Sequence, residues 1–146
     1  LDNSRKIIES GAARFLCDTI TQSQIESLKN INRQMRQTVG SSNYENFSKI
    51  NMSFHKAIIE YSDNNYITIM YNSIADYIAR YIAYTSYVTT AEALAPLQEN
   101  IIKQHDMIIN AIELKMPEYA IYSIEKHLTE AEKFLLHPQF RLTLSE

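Results

Sequence analysis

Two glycines and three prolines among 146 residues leave this chain few places to turn. A sheet-rich chain of this length needs a tight turn about every 8–12 residues, and most such turns use glycine, proline, asparagine or aspartate. Long helices need far fewer. The expected fold is therefore all-α, in one domain large enough to bury a real core. Acids and bases are interspersed, with a net charge of −3. Without a basic block, this segment by itself is poorly suited to gripping nucleic acid. The single cysteine, Cys17, excludes an internal disulfide framework and fits a reducing compartment. There is no run of about 18 apolar residues to span a membrane. The opening Leu1-Asp2-Asn3-Ser4-Arg5 lacks the basic and then apolar regions of a signal peptide. These features lead to the expectation of a cytoplasmic protein.

Periodicity and punctuation divide the chain into six helical segments. The first is expected over about Ser4–Cys17, with Ile8, Ala12 and Phe15 inward and Arg5 on the same face. Thr21-Gln22-Ser23-Gln24 is a capping box that opens a second helix with stripe Ile25, Leu28, Ile31 and Met35. Gly40 is placed to end it in the left-handed region. The third, about Tyr44–Tyr61, turns Phe47, Ile50, Phe54 and Ile58 inward. Asp63-Asn64-Asn65 breaks it and caps the fourth. That helix, about Tyr66–Val88, carries Met70, Ile74, Tyr77, Ile78 and Tyr81 inward. Thr89 to Pro96 reads as a loop or short turn. A fifth helix over about Leu97–Leu114 has stripe Ile101, His105, Ile108 and Ile112. Pro117 suits the first position of a sixth, with Ala120, Ile124, His127 and Ala131 inward, and His137-Pro138 ends it. Together these make an antiparallel helical bundle.

Three of the four histidines, His55, His105 and His127, fall on the apolar stripes of three different helices. A buried imidazole must find a partner, since an unsatisfied buried polar group costs about 1–3 kcal/mol. Three on separate helices suggest convergence on a shared metal ion or anion. Alternatively, each is a satisfied core histidine. Asn51 lies four residues before His55 and therefore one turn away on the same face, the spacing by which a helix offers two ligands to one metal. Imidazole suits Zn, Ni, Fe or Cu better than Mg or Ca; the residues do not choose among these four, and zinc or nickel is carried forward as the expectation.

Arg5 is either an anion clamp or a helix-start arginine that reaches solvent or pairs with Glu9, four residues on. Tyr77 and Tyr81 are candidates for a pocket wall, each with an apolar ring and a polar tip. Tyr84 and Tyr87 fit a bundle edge or dimer face better. Asp76 and Arg80 have the spacing of a solvated surface pair. Cys17 reads as a buried structural thiol. No Glu-x-x-His pair of the carboxylate-bridged metal bundles is present.

The run Asn51-Met52-Ser53-Phe54-His55, followed by Ser62-Asp63-Asn64, resembles the "Asp-x-x-Phe-His … Ser-Gly-Asn" stretch of the FCD domain, the effector-sensing half of FadR-type regulators in the GntR family. Arg5-Lys6-Ile7-Ile8-Glu9 is similar to its opening "Arg-x-x-Leu-Glu". His105 through Ile112 is similar to "His-x-x-Ile-x-x-Ala-Ile", and Ala120 through Leu128 to "Ala-x-x-x-Met-x-x-His-Leu". The pieces run in order from Arg5 to about Leu136.

The resemblance implies a bundle of six or seven helices. It also implies a divalent metal held by one aspartate and three histidines, at positions occupied here by Asn51, His55, His105 and His127. A small organic acid would bind beside the metal and contact Arg5. The family further implies a homodimer, and DNA binding through an N-terminal winged helix-turn-helix that is absent from this segment. Two departures stand out. Asn51 replaces the aspartate and brings no negative charge. Met116 occupies a place where an aspartate usually caps the last helix.

Three functions follow as expectations. The first is a ligand-sensing and dimerisation domain of a transcription regulator. The second is a three-histidine metalloenzyme, for which no convincing general base can be named. The third is a metal-free helical effector-binding or interaction module.

Overall fold

The computed structural model describes residues 1–41 and 43–136 of the chain. Among the described residues six helices follow one another: α1 (Asp2–Thr19), α2 (Gln22–Thr38), α3 (Tyr44–Tyr61), α4 (Asn65–Tyr87), α5 (Ala91–Glu113) and α6 (Pro117–Leu136). The expected end of α6 at His137-Pro138 lies outside the described residues. The local punctuation acts as the sequence predicts. The Thr21 side chain accepts from the Gln24 backbone N–H, and Gln24 Oε1 accepts from the Thr21 N–H. Asn64 Oδ1 accepts from the N–H groups of Tyr66 and Ile67 at the start of α4. Gly40 follows α2 with φ +75°, a region where a side chain costs energy.

One boundary differs. The segment expected as a loop, Thr89–Pro96, is mostly helix, because α5 starts at Ala91 and carries Pro96 inside it. Proline there removes one hydrogen bond, to the carbonyl four residues back. That residue, Glu92, is exposed, so its carbonyl can turn to water. The alanine- and leucine-rich run before the proline favours helix enough to carry it.

α1 packs most extensively on α6 and also touches α3, α4 and α5. α6 lies on α5, α2 bridges α3 and α5, and α4 lies against α3 and α1. The main core draws on all six helices, with Leu16, Leu28, Phe54, Ile58, Tyr71, Ile78, Ile108, Ile112 and Ile124 among its most deeply buried members. A smaller cluster of Met35, Phe47 and Ile102 closes the other side. Asn32 ties α2 to α5, donating to the Ile102 carbonyl at 3.1 Å and to Asp106 at 2.6 Å.

Two helices depart from the expected faces, α1 at one residue and α4 more widely. In α1 Arg5, Ile8 and Ala12 are buried as expected, with Glu9, Ala13, Leu16 and Cys17, while Phe15 is 51% exposed. At ~100° per residue, Arg5, Glu9 and Leu16 lie within about 40° of one another, so the buried face is centred on a polar pair. An apolar count finds Ile8 and Ala12 on one flank of such a face but carries it too far, to Phe15. In α4 the buried line is Ile67, Tyr71, Ile78, Ile82 and Thr85, while Met70 and Tyr77 are exposed. Apolar residues surround α4 almost completely, so periodicity does not define one side.

Candidate metal and effector site

α3, α5 and α6 each deliver one histidine to the centre of the bundle. His55, His105 and His127 are all buried, and ligand-capable nitrogens from the three lie within 4.8 Å of one another. The ring centroids are 5.3 Å apart for His55 and His105, 4.9 Å for His105 and His127, and 5.3 Å for His55 and His127. Nε2 of His55 and Nε2 of His127 are separated by 3.4 Å. The ring of His105 lies flat on Phe54, with centroids 3.8 Å apart and planes 9° from parallel.

Each ring is held differently. His55 Nδ1 is 2.7 Å from Glu9 Oε2, and Arg5 Nε donates to Glu9 Oε1 at 2.8 Å. His127 Nδ1 is 2.5 Å from Gln104 Oε1, and Gln104 Nε2 donates to the Glu130 carboxylate. Neither nitrogen of His105 has a hydrogen-bond partner, although the residue is fully buried.

The electrostatics suit a cation. Burial, together with the other imidazoles and Arg5, lowers the pKa of His105 well below the ordinary histidine value. Burial, His55 and Arg5 do the same for His127. Both rings therefore stay neutral at physiological pH, with lone pairs to offer. Burial alone would raise the Glu9 pKa, but Arg5 and His55 outweigh it and bring the carboxyl down to about 2. Glu9 is thus an ionised carboxylate in the middle of the protein.

The donor set also fits a metal. Nitrogens bound to one tetrahedral ion at ~2.1 Å lie about 3.4 Å apart, and that is the spacing of the two Nε2 atoms. The unpartnered His105 nitrogens and the unpartnered, buried Asn51 Oδ1 are the orphan groups that an ion would satisfy.

A cavity of about 40 Å³ opens beside the histidines. At ~10–15 Å³ per water centre it has room for roughly three waters. α1 contributes Arg5, α3 Asn51 and His55, α4 Tyr81, Thr85 and Ser86, α5 Gln98, and α6 His127. Among the described residues no carboxylate lines it. Four of its polar lining atoms are buried without partners: the donors Arg5 Nη2, Tyr81 OH and Gln98 Nε2, and the acceptor Asn51 Oδ1. Burial raises the Tyr81 phenol to about 12, so it remains a hydrogen-bond donor.

The FCD domain family matches residues 3–130. The chain is an FCD domain. This is the effector-binding regulatory domain of GntR-family transcription regulators. The fold of E. coli McbR/YncC superimposes with a TM-score of 0.78 at 15% identity, over 90% of this chain and 64% of that one. Streptococcus agalactiae GntR gives 0.68 at 20% identity, over 90% and 56%. The FCD domain therefore spans less than two thirds of either neighbour. Curated proteins give no significant match.

Within this FCD domain the structure gathers Arg5, Asn51, His55, His105, His127 and Tyr81 around one centre. It separates Tyr77 from them. Expected as a pocket candidate, Tyr77 is 63% exposed, because α4 is rotated relative to the expected face. The two readings of Arg5 turn out to be compatible, since it pairs with Glu9 and also lines the cavity. Asp76 and Arg80 are both exposed and do not pair. Cys17 is buried, as expected of a structural thiol. Among the described residues no helix is long and apolar enough to cross a membrane.

Four contributors escaped the sequence reading. Gln98, Gln104 and Glu130 carry no motif of their own. Glu9 appeared as a partner for Arg5 and as the last residue of the stretch resembling the family's opening motif, without a role toward the histidines. Its place between Arg5 and Leu16 on the same helical line is a further signal.

Proposed function

We propose that this FCD domain is the sensing half of a DNA-binding GntR-family regulator, and that it binds a small organic acid beside a divalent transition metal. One observation carries this reading: three buried imidazoles from three helices meet at one point, and one of them has no protein partner at either nitrogen. Leaving both His105 nitrogens unpaired inside a protein is costly unless another group satisfies them.

His55, His105 and His127 would hold the ion, with Asn51 Oδ1 available as a neutral oxygen donor. Bound there, a zinc or nickel ion supplies a positive charge that polarises and orients an acidic ligand. Arg5 Nη2, Tyr81 OH and Gln98 Nε2 are donors without acceptors on the wall of the same cavity, which fits a carboxylate and a neighbouring hydroxyl or carbonyl. Glu9 is committed to Arg5 and His55, so it is poorly placed to serve as the general base a hydrolytic site needs.

A ligand in this cavity would touch α1, α3, α4, α5 and α6 together. It can therefore favour one packing of the bundle over another, as an effector switch requires. In the parent protein that change would pass to a second copy and to the paired DNA-binding domains. The exposed aromatic side of α4, with Tyr66, Tyr77 and Tyr84, is the proposed dimer surface.

Elemental analysis of gently purified protein, followed by thermal unfolding with zinc(II) or nickel(II) and a panel of organic acids, tests the reading. The expected result is close to one metal per chain and an acid that stabilises the loaded protein by about 2.7 kcal/mol at a hundred times its Kd. Absence of metal uptake together with no stabilisation by any acid would refute it.

A further inference from the structure

We infer that Glu9 and the Gln104–Glu130 pair are positioning residues that set the tautomers of His55 and His127, so that both rings turn a bare Nε2 lone pair toward the same point. The inference deepens the metal-binding proposal above, but it concerns protons already on the protein.

The proton positions follow from who can donate. An ionised carboxylate only accepts hydrogen bonds. Glu130 therefore must receive the Gln104 amide N–H, and this settles which way the amide faces. The other amide atom, Oε1, is then the one 2.5 Å from His127 Nδ1. A carbonyl oxygen also only accepts, so Nδ1 of His127 carries the hydrogen. In a neutral ring the hydrogen on Nδ1 leaves Nε2 bare.

The same logic runs through α1. Arg5 holds one oxygen of Glu9 at 2.8 Å, and the other lies 2.7 Å from His55 Nδ1. The nitrogen must be the donor, so Nδ1 of His55 carries a hydrogen and Nε2 is the atom turned toward His127. In the tautomers inferred here, two lone pairs face each other across 3.4 Å. That arrangement is repulsive unless a cation or a proton stands between them. His105, stacked on Phe54 with neither nitrogen bonded, has no such control over its tautomer.

A carboxylate or amide oxygen on the far nitrogen of a metal-binding histidine orients the ring and makes it more basic. Here the two supports come from different helices. α1 sets a ring of α3, and α5 sets a ring of α6. The ligand set is thus sensitive to how those pairs of helices pack.

The test is nitrogen-15 NMR of histidine-labelled, chelator-treated protein at about pH 8, above the ordinary histidine range. The expected spectrum has His55 and His127 protonated at Nδ1 with bare Nε2, and His105 as a tautomer mixture. Protonation of either His55 or His127 at Nε2, whether or not Nδ1 also carries a hydrogen, would overturn the inference. Glu9→Gln should mix the His55 tautomers and leave His127 unchanged. Glu130→Gln, at a half-exposed position that tolerates change, should free the Gln104 amide to flip and mix only those of His127. Zinc(II) affinity, measured by competition with a chromogenic chelator, should fall about 10–100-fold in each variant. Unchanged tautomers and unchanged affinity in folded Glu130→Gln would also overturn it. If the wild type takes up no zinc(II), the sensing proposal loses its metal, while the spectrum still decides this inference by itself.

Discussion

Replacing Arg5 by leucine should destabilise the protein by about 3–5 kcal/mol at pH 7, the range measured when a buried pair loses one partner. The pair is almost fully buried, with side chains 3% and 1% exposed. A second route gives a similar figure. Glu9 is held at about 2 instead of 4.5. At 1.36 kcal/mol per pH unit this is about 3 kcal/mol of stabilisation, from Arg5 and His55 together. The sign fixes the pH dependence. A depressed carboxyl pKa stabilises fully above the unfolded value of 4.5, and the benefit is lost as the pH falls from there through about 2. Without the guanidinium, burial dominates and the Glu9 pKa rises. The variant then gains stability as the pH falls from its raised Glu9 pKa toward 4.5, a range in which the wild-type Glu9 contribution is constant, so the difference between them should be largest near pH 7 and shrink toward pH 4. Urea unfolding of chelator-treated proteins, with the midpoint read at constant m, measures this. Adding Glu9→Gln to Arg5→Leu should restore part of the stability, because it removes the stranded charge. A loss below about 1 kcal/mol, or one independent of pH, would refute the reasoning.

Three further outcomes are expected. His105 and His127 have lowered pKa values, so the unfolded chain takes up protons that the fold refuses; stability of the metal-free protein should decline as pH falls below about 6.5, which thermal unfolding between pH 8 and 5 will reveal as a falling Tm. Asn51→Asp places a second carboxylate beside the histidines, where the Asn51 oxygen now has no partner; the metal-free variant should lose about 1–3 kcal/mol, and saturating zinc(II) should reverse the order relative to wild type in the same scan. Tyr81→Phe removes a cavity donor and should weaken binding of the stabilising acid about 5–10-fold, in line with one lost hydrogen bond, whereas Tyr77→Phe should leave it unchanged in isothermal titration.

Local signals were the legible ones. The Thr21–Gln24 capping box, Asn64 as a cap, Gly40 beyond α2 and Pro117 at the start of α6 all act within a few residues of themselves, and all appear where the chain predicts them. Helix faces were legible only where one side is apolar and the other polar. α2 satisfies this, with Ile25, Leu28 and Met35 buried. α4 is apolar nearly all round, which sent Tyr77 to the wrong side. α1 buries an ion pair at the centre of its inner face, which sent Phe15 there instead.

The sequence by itself determined the helical class, since so few residues can turn, and it determined that three histidines would point inward, since their spacing matches the apolar stripes. Only the tertiary structure decided that the three meet, because contact between α3, α5 and α6 depends on how they cross and not on any residue's neighbours in the chain. It also decided what stands behind each ring. Glu9 reaches His55 across 46 positions and Gln104 reaches His127 across 23. Hydrogen bonds over such separations follow from packing, and a single sequence carries no local trace of them.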